Sequence, residues 1–76
     1  MTDRQYRERL RKMGLKVAYY RKLRGYTQEQ LAEMLGISWS TVSKIETGLT
    51  GLSLRLLWET SESLQIPPGK IIDDEE

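Results

Sequence analysis

The chain has 76 residues, 38% of them hydrophobic, and a formal charge of +1. A chain this short supports one domain with one small core. It holds no Cys and no His, which excludes a disulfide framework, thiolate or imidazole metal ligands, a Ser-His-Asp triad and a cysteine nucleophile. No apolar run reaches the ~18 residues of a bilayer span. No signal-peptide core follows Met1-Thr2-Asp3-Arg4, so a soluble protein inside the cell is expected.

The near-neutral total hides a gradient. Residues 1–24 carry nine basic groups against Asp3 and Glu8, a balance of +7, and residues 51–76 balance at −4. A basic end on a small chain suits a polyanion partner, and it equally suits a solvated helix face.

In the first element, Tyr6, Leu10, Met13, Val17 and Tyr20 recur at steps of four and three, the stripe of an amphipathic helix. Asp3 is the expected cap and Gly25 the expected stop. Gly14 falls inside, where it costs about 1 kcal/mol relative to Ala. Residues 1–12 are therefore read as a basic extension, expected to be continuous with the helix, although an arm that becomes helical near Gly14 stays open.

The second helix starts at Thr27, with Gln30 completing a capping box and Tyr26 stapling onto Leu31. Leu31, Ala32 and Leu35 form its buried stripe and Gly36 ends it. Ser38 caps a third helix, in which Val42 and Ile45 face inward, and Gly48 stops it. Two helices of about two turns joined by a short turn containing Gly have the helix-turn-helix layout. Ser53 caps a fourth helix with Leu54, Leu57, Ser61 and Leu64 inward. Pro67 suits the first turn of a short fifth helix ending near Ile72. Asp73 to Glu76 reads as an acidic, disordered tail. There is no strand pattern, so the fold class is all-α.

The stretch from Gly25 to Gly48 contains T-Q-x-x-L-A-x-x-L-G-I-S, then a short helix ending I-E-x-G. It resembles the Cro/phage-repressor (Xre) family of helix-turn-helix DNA-binding proteins, over residues 13–72. The resemblance implies a five-helix, lambda-repressor-like domain with the helix-turn-helix pair at residues 27–47. Its third helix would lie in the major groove.

On the third helix, Ser40 and Lys44 share a face by spacing, with Trp39 and Ser43 beside them. The resemblance assigns these four residues to base readout. Lys44 can donate to guanine or to a phosphate. Trp39 stands where the family often has a polar residue. It can lie against thymine methyl groups or fold back as part of the core. Gln28 matches a family residue that bonds backbone phosphate. Ser38, Thr47 and Thr50 are further backbone candidates, although Ser38 also suits a pure capping role. Lys22 and Arg24 can add nonspecific attraction. Arg21 and Glu46 match a structural ion pair between the first and third helices.

Leu52, Leu54, Leu56, Leu57 and Trp58 crowd one stretch, more than one helix face can bury. Leu52, Leu56, Trp58 and Ile72 are accordingly the candidate homodimer interface, unless the crowding only makes a generous core. The functional expectation is a sequence-specific regulator of transcription, a repressor that binds a near-palindromic double-stranded DNA operator as a dimer. It would be bacterial or phage-encoded and cytoplasmic, with no metal, cofactor or small-molecule effector. The competing reading is a protein-interaction module or antitoxin-like partner on the same fold. No enzyme is expected, because the many serines lack an activating base.

Overall fold

In the computed structural model, which describes residues 1–72, helix α1 runs unbroken from Asp3 to Leu23. Helix α2 spans Gln28–Leu35, α3 Trp39–Glu46, α4 Leu54–Leu64 and α5 Gly69–Ile72. No strand occurs among the described residues. The acidic tail expected at residues 73–76 lies outside them.

The caps at Thr27, Ser38 and Ser53 form where the sequence places them. Each side chain accepts a hydrogen bond from the backbone N–H three residues on, and Thr27 closes a full capping box with Gln30. The start of α1 differs from expectation. Thr2, not Asp3, is the cap, because Thr2 and Gln5 satisfy each other's backbone N–H groups reciprocally. Asp3 becomes the first helical residue, where its charge meets the positive end of the helix dipole.

The core comprises Val17, Leu31, Ala32, Val42, Ile45, Leu57, Leu64 and Ile71, drawn from all five helices. Met13, Tyr20, Tyr26, Leu35, Ile37, Leu52, Leu56 and Ile66 pack around it. Leu54, expected inward, is exposed. The buried face of α4 centres on Leu57, Thr60, Ser61 and Leu64, and Leu54 lies to one side of that face in the first turn.

Two glycines bring α1 against the end of α3. A Cβ at Gly14 would stand 2.3 Å from the Ile45 carbonyl oxygen and 2.7 Å from that of Glu46. Gly48, at φ +80°, faces the Arg11 Cα, which a Cβ would meet at 2.8 Å. The helix interior thus tolerates Gly14 because backbone must approach backbone there. Arg24, read from the sequence as a diffuse attractor for DNA, instead binds the end of α4. Its Nε donates to the Leu64 carbonyl at 2.7 Å and its Nη2 to that of Gln65 at 3.1 Å, which satisfies carbonyls that the helix itself leaves open.

Thr60 is 1% exposed, and its hydroxyl has no hydrogen-bond partner among the described residues. An unsatisfied buried hydroxyl costs about 1–3 kcal/mol. Thr60→Val is therefore expected to raise the melting temperature by several degrees, at about 4–8 °C per kcal/mol for a domain of this size. A lowered melting temperature in calorimetry would show that the hydroxyl contributes favourably.

Candidate nucleic-acid interface

The three residues between α2 and α3 hold the two helices at a fixed angle. Gly36, at φ 70°, reverses the chain, and the Ile37 N–H returns to the Ala32 carbonyl at 3.0 Å. Ser38 then caps α3. Its side chain accepts from the Thr41 N–H at 3.1 Å and shares a 2.8 Å hydrogen bond with the Thr41 hydroxyl, so the capping role is the one the geometry occupies.

Period alone divides α3 into two faces, and the structure keeps that division. Val42 and Ile45 are buried, while Trp39, Ser40 and Lys44 are exposed and Ser43 is half-buried. Trp39 combines features of both its expected readings. Its ring is 55% exposed, yet its indole N–H is tied back to Gln28 Oε1 at 3.0 Å.

That bond ends a chain of four side chains. Arg21 Nε donates to Glu46 Oε2 at 2.7 Å and Nη2 to Oε1 at 3.0 Å, a two-pronged pair. The two side chains are 9% and 5% exposed. Arg21 Nη1 reaches the Tyr26 carbonyl at 2.8 Å, just before α2. Gln28 Nε2 donates to Glu46 Oε1 at 2.8 Å. A carboxylate only accepts and an indole N–H only donates, so the orientation of the Gln28 amide is fixed by its neighbours. The result is a continuous line Arg21–Glu46–Gln28–Trp39 that joins α1, α2 and α3.

The sequence contained each of these residues but not the line. The resemblance implies a Gln28 that reaches outward to phosphate, whereas its amide is engaged at both ends within the chain. The available signal was an uncommon Trp39 at the first position of α3, matching Gln28 at the first position of α2. Thr47 is exposed, but its hydroxyl donates to the Ser43 carbonyl at 2.8 Å. Thr50 is half-buried.

The residues proposed for self-association separate into two places. Leu52 and Ile72 line an apolar groove of about 260 Å³ with Tyr6, Leu10 and Met13. Trp58 lies beside Leu54, Arg55, Glu59 and Glu62 along α4. Leu56 is half-buried against the core.

A helical pair locked at a short turn, with the second helix open to solvent on one flank, defines a helix-turn-helix protein. The chain belongs to that family: its model, described as Helix-turn-helix, matches residues 17–71. The uncharacterized HTH-type transcriptional regulator YazB of Bacillus subtilis is 36% identical over 82% of this chain and 90% of its own. The HTH-type transcriptional regulator MJ0272 of Methanocaldococcus jannaschii, likewise uncharacterized, is 38% identical over 84% of this chain and its own full length. The crystal structure of the restriction-modification controller protein C.AhdI of Aeromonas hydrophila superposes with a TM-score of 0.77 at 31% identity. That match covers 82% of this chain and 94% of the other. The chain is accordingly a DNA-binding regulator of transcription by class. No helix among the described residues is long and apolar enough to cross a membrane.

Proposed function

We propose that the chain binds a specific double-stranded operator through α3 and acts as a repressor in the cytoplasm. It does so as a homodimer on a near-palindromic site. Trp39, Ser40, Ser43 and Lys44 read the bases, while Ser38, Thr47 and Thr50 lie along the phosphates and Gln28, held between Glu46 and Trp39, positions the ring beside them. The observation that carries this reading is the exposed flank of α3 together with the tether on Trp39. A large aromatic ring is held by its N–H at the helix start, where side chains of a groove-bound helix meet base edges. A pre-oriented ring loses less freedom on binding than a mobile one.

The exposed apolar residues Leu54 and Trp58, neighbours on α4, and Ile72 at the separate groove support self-association, because exposed apolar patches mark association surfaces. The likeness to the restriction-modification controller protein C.AhdI fits a regulatory role of this kind. Occupation of a promoter-overlapping operator is the mechanism that DNA binding by this domain alone would supply.

Selection of sites from random duplex DNA tests the proposal. A two-fold symmetric site is expected, with half-sites about one helical turn apart. Lys44→Ala and Trp39→Ala are expected to lose preference at particular base positions, each position being worth about 1–3 kcal/mol of discrimination. Uniform weakening would make them backbone contacts. A single unpaired site would remove the dimer, and no duplex binding at low salt would favour the protein-interaction module.

A further inference from the structure

We propose that the N-terminal half of α1 carries a second DNA-backbone contact, in which Arg11 and Arg7 bind phosphates flanking the site under α3. The inference rests on the reading of α3 as the groove helix. It concerns residues that precede the stretch matched by the family model, which starts at residue 17.

Three observations place the strip. First, Gly14 faces the last carbonyls of α3, those of Ile45 and Glu46. Stepping back along α1 by three and four residues from Gly14 gives Arg11, Arg7 and Arg4, so all four share one flank of the helix. Second, Gly48 stands against the Arg11 backbone, with the Arg11 Cα, N and Cβ at 2.8, 3.0 and 3.2 Å from where its Cβ would be. Arg11 is thereby fixed beside the turn that follows α3, next to exposed Thr47 and one turn beyond exposed Lys44. Third, Arg4, Arg7 and Arg11 are exposed, and none makes a salt bridge or side-chain hydrogen bond among the described residues.

The apolar stripe of the same helix, with Val17 in the core, Met13 packed against it and Leu10 lining the groove, lies on a different side. The arginines therefore do not simply occupy the face opposite the core. They border the α3 turn. The helix extends eleven residues beyond Gly14 toward the N-terminus, about 16 Å at 1.5 Å per residue, so the flank outruns the end of α3. Guanidinium groups suit this task because their planar forks bind phosphate oxygens in pairs. DNA phosphate is the polyanion that a neighbouring groove-bound helix would supply.

Salt titration of duplex binding by the full chain tests the strip. Each phosphate contact adds about 0.9 to the slope of log affinity against log salt. Arg7→Gln/Arg11→Gln is expected to flatten that slope by nearly 2. The wild type's affinity advantage over the double variant should then shrink roughly tenfold between 50 and 200 mM salt. Lys12→Gln removes one charge from another side of the same helix and is expected to leave the slope unchanged. Trimming the duplex ends until the flanking phosphates are gone should erase the difference between wild type and double variant. An unaltered slope in the double variant, or an equal loss in Lys12→Gln, would overturn the strip while leaving α3 as the groove helix. A wild-type protein without salt-dependent duplex binding would overturn both.

Discussion

Glu46→Ala is expected to lower stability by about 3–5 kcal/mol and to weaken duplex binding with it. The carboxylate is the one acceptor shared by Arg21 and Gln28. Without it, the Arg21 guanidinium stays in a nearly closed environment with only the Tyr26 carbonyl as a hydrogen-bond partner among the described residues. An uncompensated buried charge costs far more than an intact pair contributes. Against the ~5–15 kcal/mol that holds a typical domain together, this is a large share. Thermal melting should fall on the order of 20 °C, at about 4–8 °C per kcal/mol. An unchanged melting temperature would show that the pair is dispensable.

A second variant separates folding from recognition. Arg21→Met/Glu46→Leu removes both charges and leaves apolar side chains of similar size. Such replacements of buried pairs are often neutral or stabilising, so most of the stability should return. Duplex affinity should not return with it, because Gln28 has lost the carboxylate that fixes its amide and Trp39 has lost its oriented acceptor. Recovery of both together would mean that Trp39 needs no positioning by Gln28.

The sequence is most informative where the physics is local. Three caps, the Thr27–Gln30 box and the stops at Gly36 and Gly48 follow from hydrogen bonds between residues a few positions apart, so short motifs reveal them. The two faces of α3 follow from period. The start of α1 was missed because Asp3 is as good a cap as Thr2 until the reciprocal partner Gln5 is noticed. What escaped entirely is long-range. Nothing near Arg24 announces that it closes α4, some forty residues away. Nothing near Gln28 announces Glu46, which belongs to another helix. Leu54 shows a different limit: an apolar residue at helical spacing is not buried when it falls at the margin of the face and in the first turn.

Gly14 is the case in which local and distant physics predict opposite signs. Helix propensity alone makes Gly14→Ala stabilising by about 1 kcal/mol. The packing makes it destabilising. The added Cβ would lie 2.3 and 2.7 Å from two carbonyl oxygens, and these are backbone atoms that cannot rotate away. The end of α3 is also held by its own turn, in which the Gly48 N–H binds the Ile45 carbonyl at 3.1 Å and the Leu49 N–H the Lys44 carbonyl at 2.8 Å. Relief must come from moving α1 off α3, which stretches the two-pronged Arg21–Glu46 pair between the same helices. Overpacking of this kind costs about 1–3 kcal/mol, and the strained ion pair adds to it. A net loss of about 2 kcal/mol is expected, or some 10 °C in melting temperature. Gly69→Ala supplies the control, since Gly69 is helical and a Cβ there meets nothing within 4 Å. The same substitution should leave stability level or raise it at Gly69 while lowering it at Gly14. A rise at both positions would mean that α1 does not pack this closely on α3.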